Sequence, residues 1–483
     1  MKQLHRFNEE ALTNKIQKQL IEDLSQKEID KVLKQIKLTK SKQLLTLKQK
    51  IHPTLEQQVV LWALAENCRL IYKFALRERL DWWERNKDKK KEERDSYPDY
   101  TKQQNDLPNL KELYPRYKQN HSKSLQMTLK TLDANFKSFL ALRNNGESSA
   151  NTPGFKGKKH FTPLIYNQSG FKHENNELVF SHNYLLDGIT RIDLRFTLTN
   201  DAIFEDKNVK QVIISQNKKT KEFFVSIQYE FETPKYVDNG IYQAFDQGII
   251  NILAGVNSHV GKTIQINNPR INNYWQPKIN ELKSKRDHCL KHSNRWYWYN
   301  DKLKKIITKQ KHQQKDYQHK VSKKIINNTQ ANTILIGDLN VRDIHPKENG
   351  NSKSNRTMRR NQINSGNISR LAGFLTYKAQ KVGKKVIRIS ERRTTKRCCF
   401  CGKKEQRMLS ERIIHCDKCG IVIDRDVNGA VNILQRYFAI LTLSHKRLLV
   451  GQQLLNDFRK LFFATHSSGI CQPANAQQTR KES

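Results

Sequence analysis

Four cysteines in the spacing C-x2-C-x14-C-x2-C, at Cys398, Cys401, Cys416 and Cys419, constrain the folding of this chain more than any other feature of its sequence. Each pair lies in a short knuckle, CFCG or CDKCG. Such knuckles present thiolates to one tetrahedral ion, and a glycine after the second cysteine relieves the tight turn. The intervening length is one residue short of the usual template, which a variable loop between knuckles absorbs. Five of the eight cysteines crowd into 22 positions, while Cys68, Cys289 and Cys471 stand alone. In a reducing compartment that clustering means metal rather than disulfides. With four ligands and no open position, the expectation is one structural zinc, and Cys399, lying between ligands, is read as a bystander.

Charge narrows the partners. Lys and Arg number 88 against 47 Asp and Glu, a net +41 over 483 residues. This excess is the footprint of a polyanion binder, and a long nucleic acid suits it better than an acidic peptide because phosphate neutralisation releases counterions. The competing reading is a generally basic surface or a ribosomal-type structural protein. No run of 18 apolar residues exists and the first residues lack an apolar signal core, so no membrane role is expected and the protein is expected to be soluble and intracellular.

The length predicts about two to four units. Residues 8–38 read as two amphipathic helices, an appendage, with a capping box at Ser25 and Glu28. A helical block runs from the Thr54–Gln57 cap to about residue 143, with a charged loop inside it. Period-two alternation in LVFSHN, TRIDLRF, QVIISQ and FFVSIQYE then predicts a small β-barrel-like unit. AFDQGIINILAGV reads as a strand entering a tight turn at Gly248, and residues 278–327 as a basic helical hairpin interrupted by Trp296, Tyr297, Trp298 and Tyr299. Those rings either stack bases or pack the hairpin's seam. TILIGDLNV and KKVIRISE read as buried strands, separated by a polar loop over 345–367 and a helix over 367–381, so an α/β sheet with its site at the strand ends is expected.

Acidic residues mark those ends: Asp246, Asp338, Glu391, Asp424 and Asp426. Singly, each reads as a turn or helix cap. Converging, they could hold two Mg²⁺ ions about 3.5–4 Å apart for phosphodiester hydrolysis, and hard oxygen ligands suit that ion.

FDQGIINIL resembles the first motif of the RuvC-like nuclease domain of the TnpB family, ILIGDLNV its second, and TTKRCCFCG, CDKCG and DRDVNGAVNIL its zinc ribbon and third motif. GFKGKKHF and SLQMTLKTLDANFKSFL resemble the family's N-terminal half. The resemblance covers about residues 44–440 and is most specific over 391–436. It implies a multidomain α+β protein. Residues 1–43 would be a helical extension, 44–54 with 144–236 a wedge-like β-barrel, and 55–143 a helical recognition lobe. A RuvC/RNase H-like α/β nuclease domain would follow over 237–390 and 424–440, with a zinc ribbon inserted at 391–423 and a tail at 441–483. It implies a Mg²⁺-dependent, RNA-guided DNA endonuclease of a transposable element, with a guide RNA from the transposon end and double-stranded target DNA as partners, acting as a monomer on RNA or as a dimer. Type V CRISPR effectors are relatives of the family.

One departure stands out. The family's second motif carries Glu immediately before Asp-Leu, and Gly337 stands there. Glu391, ending a strand beside a zinc knuckle, is expected to replace it, giving Asp246, Glu391 and Asp426 as catalytic metal ligands. Asp424 is left to cap the helix, Asn428 to orient the loop, and Gly429 with Ala430 to permit close packing. The alternatives are a nuclease-inactive RNA-guided DNA binder and a zinc-ribbon nucleic-acid-binding protein without cleavage.

Overall fold

The apolar stripes of residues 8–38 fold into α1 (Glu9–Glu22) and α2 (Gln26–Lys37). The computed structural model describes residues 9–38, 41–86, 88–183, 192–218, 220–338, 368–407, 411–444, 448–465 and 470–471; the expected polar loop over 345–367 lies outside them. Glu28 Oε2 accepts from the Ser25 amide at 2.9 Å, as a capping box requires. The two helices are no appendage. Leu12, Ile16 and Leu20 bury against Ala439, and Ile29 and Val32 join a core with Val427 and Val431. The stripe is buried because its partner face is supplied some 400 residues further along the sequence.

Two units form, Lys42–Glu232 and Met1–Ser41 with Thr233–Ser483. In the first, β1 (Lys42–Ile51) precedes α3 (Leu55–Asn86) and α4 (Ser122–Asn144), and the strands β2 (Leu164–Asn167), β3 (Phe171–Glu174), β4 (Glu177–Phe180), β5 (Leu194–Thr197), β6 (Asn208–Gln216) and β7 (Phe223–Glu232) follow. Thr54 and Gln57 cap α3 reciprocally at 3.1 and 3.2 Å. Leu64, Cys68 and Ile71 of α3 share a core with Leu125, Leu129 and Leu132 of α4. The expected barrel is two sheets, β1-β7-β6-β2 and β3-β4-β5, with no closed barrel among the described residues. β1 and β7 pair along their whole length, whereas β2 to β5 span four residues each, too short to wrap around and close.

The second unit continues with β8 (Tyr242–Asp246), β9 (Asn251–Asn257), β10 (Thr263–Asn267), α5 (Ile271–Asp287), α6 (Asn294–Asn328), β11 (Thr333–Asp338), α7 (Ile368–Lys381), β12 (Lys385–Ser390), β13 (Ile413–His415), β14 (Val422–Asp424), α8 (Arg425–Thr442), α9 (Leu448–Thr465) and β15 (Ile470–Cys471). Its main sheet has the order β10-β9-β8-β11-β12. The first three strands are antiparallel and β8, β11 and β12 run parallel. Alternation divides the sheet's two faces. Tyr242, Ala244, Leu335, Ile387 and Ile389 pack with α8, and Phe245, Ile334 and Ile336 pack with α6 and α7. α8 is buried from Asp426 to Thr442, the mark of a central helix. α9, the apolar part of the tail, covers it through Leu455, Phe458 and Phe462.

The basic hairpin is α5 and α6. Its aromatic cluster does not interrupt a helix but opens α6, whose amide at Trp296 is capped by Ser293 Oγ at 3.2 Å. The seam is filled by Trp275, Ile279 and Leu303, while Trp298 remains 53% exposed. No helix among the described residues is long and apolar enough to cross a membrane.

Candidate metal centre and carboxylate site

The two knuckles bring Cys398, Cys401, Cys416 and Cys419 together, all buried, with their sulfurs within 4.8 Å of one another. The Cys398–Cys419 and Cys401–Cys416 sulfur separations are 3.7 and 3.5 Å. A tetrahedron of thiolates at ~2.3 Å from zinc has edges of about 3.8 Å, whereas a disulfide needs about 2.05 Å. The donor set therefore fits one zinc. Gly402 and Gly420 take φ of +73° and +75°, the left-handed turns that the glycines after each second cysteine permit. Hydrogen bonding within the cluster holds the Cys401 and Cys416 thiols below the usual thiol range and the Cys398 and Cys419 thiols above it. Cys399 is outside the cluster and packs in the core beside α8.

Across the α8 face of the sheet, parity decides which acids meet. Tyr242, Ala244 and Asp246 share one side of β8, Leu335 and Gly337 one side of β11, and Ile387, Ile389 and then Glu391 one side of β12 and its end. Asp338 follows the other parity. It pairs instead with Lys31 of α2 at 2.5 Å and with Arg388 at 3.9 Å. The parallel register sets Gly337 beside Ile389, which lets the carboxyl of Glu391 fold back over the glycine. A Cβ at position 337 would fall 1.7 Å from Glu391 Oε1 and 2.3 Å from its Cδ. The absent side chain of Gly337 is thus the seat of the Glu391 carboxyl. Gly429 does the same for Asp246, whose carboxyl carbon lies 2.8 Å from where a Cβ at 429 would be. This is the close packing of α8 that the glycine was expected to permit.

Asp424 caps α8, accepting from the Asp426 and Val427 amides at 2.8 and 3.1 Å. Asp426 lies 7% exposed in the first turn. Its Oδ2 accepts from Asn251 at 3.0 Å and from Arg412. Asn428 anchors the zinc knuckle: it accepts from the Cys399 amide at 2.9 Å and donates to the carbonyls of Thr394 and Arg397. Burial, and then the charges of Glu391 and Asp426, push the Asp246 carboxyl well up. Burial likewise pushes Glu391 up to about 8, against a hydrogen bond from the Gln247 amide that favours its charged form, and the charges of Asp338 and Asp426 add to the rise, so Asp338 is felt at the site although its side chain follows the other parity. Glu391 Oε1 is sealed from solvent with no hydrogen-bond partner. Buried, mutually repelling oxygens with an unmet acceptor are what a hard cation would satisfy. Without one they do not condense: among the described residues only the four cysteines bring three or more ligand atoms within 4.8 Å.

Three residues of this site are absent from the sequence-derived set. Asn251 stands inside the FDQGIINIL stretch, and its spacing was its signal. Gln247, in the same stretch, donates to the Gly337 carbonyl at 2.6 Å. Arg412, in the variable span between knuckles, carried no signal.

A five-stranded sheet with Asp246, Asp338 and Glu391 at the ends of its parallel strands, together with a four-cysteine cluster, makes this a mixed α/β protein. Comparison with known proteins agrees. Family models match at residues 43–88 (Helix-turn-helix domain, HTH_OrfB_IS605), 226–349 (Probable transposase, OrfB_IS605) and 369–433 (Cas12f1-like, TNB domain). A TnpB-like protein of Acanthamoeba polyphaga mimivirus is 34% identical over 158 residues, which is 33% of this chain and 29% of that protein's length. The putative RNA-guided DNA endonuclease InsQ of Escherichia coli strain K12 is 26% identical over 335 residues, 67% of this chain and 76% of InsQ. In fold, the protein of a Cas12f1-sgRNA-target DNA complex superposes with a TM-score of 0.55 at 14% identity, over 82% of this chain and 99% of that one. In these stretches the chain is similar to proteins of the TnpB family, and it spans less than a third of the length of the mimivirus relatives it matches.

Proposed function

We propose that this chain is an RNA-guided DNA endonuclease of a transposable element, and that Asp246, Glu391 and Asp426 hold two Mg²⁺ ions for phosphodiester hydrolysis. The observation that carries the reading is the fit of Glu391 onto Gly337, where a Cβ would lie 1.7 Å from the carboxyl oxygen. It explains how a chain without the second-motif glutamate keeps a third carboxylate on the α8 face of the sheet. Bound by these carboxylates, Mg²⁺ would supply the charge that activates water and stabilises the departing oxygen. The chain's own residues supply the rest. Asp424 fixes the first turn of α8, Asn251 orients Asp426, and Gln247 ties the turn after β8 to β11. The buried pocket keeps the carboxylates poorly solvated, which strengthens their attraction for a divalent cation once they are ionised.

Guide RNA and target DNA are the proposed partners, with the protein a monomer on its RNA. Supporting this are the net +41 charge, the RNA-guided activity named for InsQ and the RNA and DNA of the Cas12f1 complex, and the exposed rings of the α5–α6 hairpin. Lys302 Nζ lies 3.4 Å from the Trp298 ring centroid and Lys278 Nζ 3.9 Å from that of Tyr274. Cations beside exposed rings suit unpaired bases and their phosphates.

The test is Mg²⁺-dependent cutting of a plasmid bearing a guide match, with chelator as control. Glu391→Gln, Asp246→Asn and Asp426→Asn should each lower cleavage by several orders of magnitude while guided DNA binding persists, and Asp338→Asn should do much less. A Glu391→Gln variant that cuts like the wild type would remove Glu391 from the metal site. A wild type that binds its guided target tightly and never cuts it would establish the nuclease-inactive reading instead.

A further inference from the structure

The break between α1 and α2 places Asp23, its side chain 1% exposed, at the centre of four cations. Its carboxylate accepts from Arg393 Nη1 at 3.2 Å, from Lys404 Nζ at 2.9 Å and from Arg397 Nε at 3.1 Å and Nη2, with Arg436 Nη2 at 3.9 Å. These cations bracket one short piece of chain. Arg393 stands two residues after Glu391, and Arg397 abuts the zinc ligand Cys398. Lys404 follows the first knuckle, and Arg436 donates to the carbonyls of Ser390 and Arg392.

The turn from Glu391 to Arg397 needs such holding. Arg393 has φ +62°, a left-handed conformation that a side chain with a Cβ resists. The turn's own bonds run from the Thr394 amide and Oγ1 to the Glu391 carbonyl at 3.2 and 2.9 Å and from the Lys396 and Arg397 amides to the Arg393 carbonyl at 3.2 Å each. From α8, Asn428 and Asn432 grip Thr394 and Arg397. From the opposite side comes the N-terminal hairpin. Besides Asp23, Gln19 takes Arg397 at 2.6 Å, and Gln35 pairs with the edge-strand backbone at Arg388, accepting at 2.9 Å and donating at 3.2 Å. Lys31 holds Asp338. Three of the four cations are guanidiniums, and Arg397 and Arg436 are 1% and 0% exposed. Deleting the buried anion leaves like charges facing one another in a poorly solvated space, and they relax by moving the turn.

We infer that the N-terminal hairpin, outside every stretch matched to a family, is a working part of the carboxylate site, with Asp23 as the residue that positions Glu391. The inference rests on Glu391 being a metal ligand. A ligand swung by about 1 Å loses roughly a hundredfold in rate, and a site whose third carboxylate is displaced needs more metal to fill.

The test uses full-length protein purified with its guide RNA. Asp23→Asn keeps the shape and removes the charge. The expected result is unchanged zinc content and guided DNA binding, cleavage down by about tenfold to a hundredfold, and a several-fold rise in the Mg²⁺ concentration for half-maximal cutting. Arg393→Gly removes one contact to Asp23 while glycine keeps the left-handed backbone. It should show a smaller change of the same kind, and it decides the matter if Asp23→Asn does not fold. Wild-type rate and Mg²⁺ requirement in the variant that folds would overturn the inference. So would a loss of cleavage with the Mg²⁺ requirement unmoved. Glu391→Gln measured alongside separates the two failures. If it cuts normally, the metal-ligand reading falls; if it is dead while Asp23→Asn is normal, only the positioning role falls.

Discussion

Adding one methyl group at position 337 should abolish the proposed cleavage. In Gly337→Ala the new Cβ would stand 1.7, 2.3 and 2.4 Å from Oε1, Cδ and Cγ of Glu391. Non-bonded carbon and oxygen need more than 3 Å, so the carboxyl must retreat by about 1.5 Å or β11 must shift. β11 is flanked on both sides by paired strands, β8 and β12, and so the side chain is what moves. Overpacking of this kind costs about 1–3 kcal/mol of stability, which a fold of this size tolerates. The rate suffers more, because an error of 1 Å in a reacting constellation is worth roughly a hundredfold. Plasmid cleavage in Mg²⁺ should therefore fall by at least about a hundredfold, with guided DNA binding kept. Moving the carboxylate back, in Gly337→Glu combined with Glu391→Ala, should cut faster than Gly337→Ala. A Gly337→Ala protein that cleaves at the wild-type rate would refute the seating of Glu391 on that glycine.

Elemental analysis should find one zinc per chain, and Cys416→Ser should lose both the zinc and cleavage, because the knuckle carbonyls are tied to α8 through Asn428. In metal-free protein the buried Glu391 carboxyl, pushed up to about 8 from an ordinary 4.5, keeps a proton that the unfolded chain has released. The folded state then binds more protons across this window, so its stability should fall as pH rises from about 4.5 to about 8. Mg²⁺ should accordingly raise Tm more at pH 8 than at pH 6, and Glu391→Gln should weaken both trends, the raised Asp246 carboxyl keeping a share of them; a Tm independent of Mg²⁺ at pH 8 would contradict this. Trp298→Ala should weaken RNA binding by about 1–3 kcal/mol if a base stacks there, read as a shift in Kd by filter binding, and the binding should fall steeply with salt.

What the sequence disclosed was local chemistry. Cysteine spacing carries the knuckle geometry within a few residues, so the cluster was legible in full. The helix after DRD was legible too, with Asp424 as its cap. Strand alternation revealed β4 to β7 but not their closure, because pairing is a long-range choice that periodicity does not encode; four-residue strands then made two sheets. The stripe on α1 announced a buried face without naming its partner, and α8 cannot be guessed from residues 12–20. Arg412 shows the same limit: an arginine in a variable loop looks like any other until folding sets it against Asp426. The exchange between Gly337 and Glu391 lay between these cases, since both residues were visible but only the parallel register of β11 and β12 lays one upon the other.

The mutual burial of α1 and α8 has a consequence for how the protein is made. Residues 9–37 leave the ribosome before any residue of α8 and α9 exists, yet Leu12, Ile16 and Leu20 are covered by α8, and Thr13 and Gln17 bond to Arg459 and Thr442, 446 and 425 positions away. Through most of synthesis that apolar stripe has no native partner, and such exposure invites association with other chains or capture by a chaperone. The carboxylate site inherits the same timing. Asp426 arrives last among its acids, in the helix that closes over α1 and the sheet together, so the site cannot gather its carboxylates until translation has passed through α8.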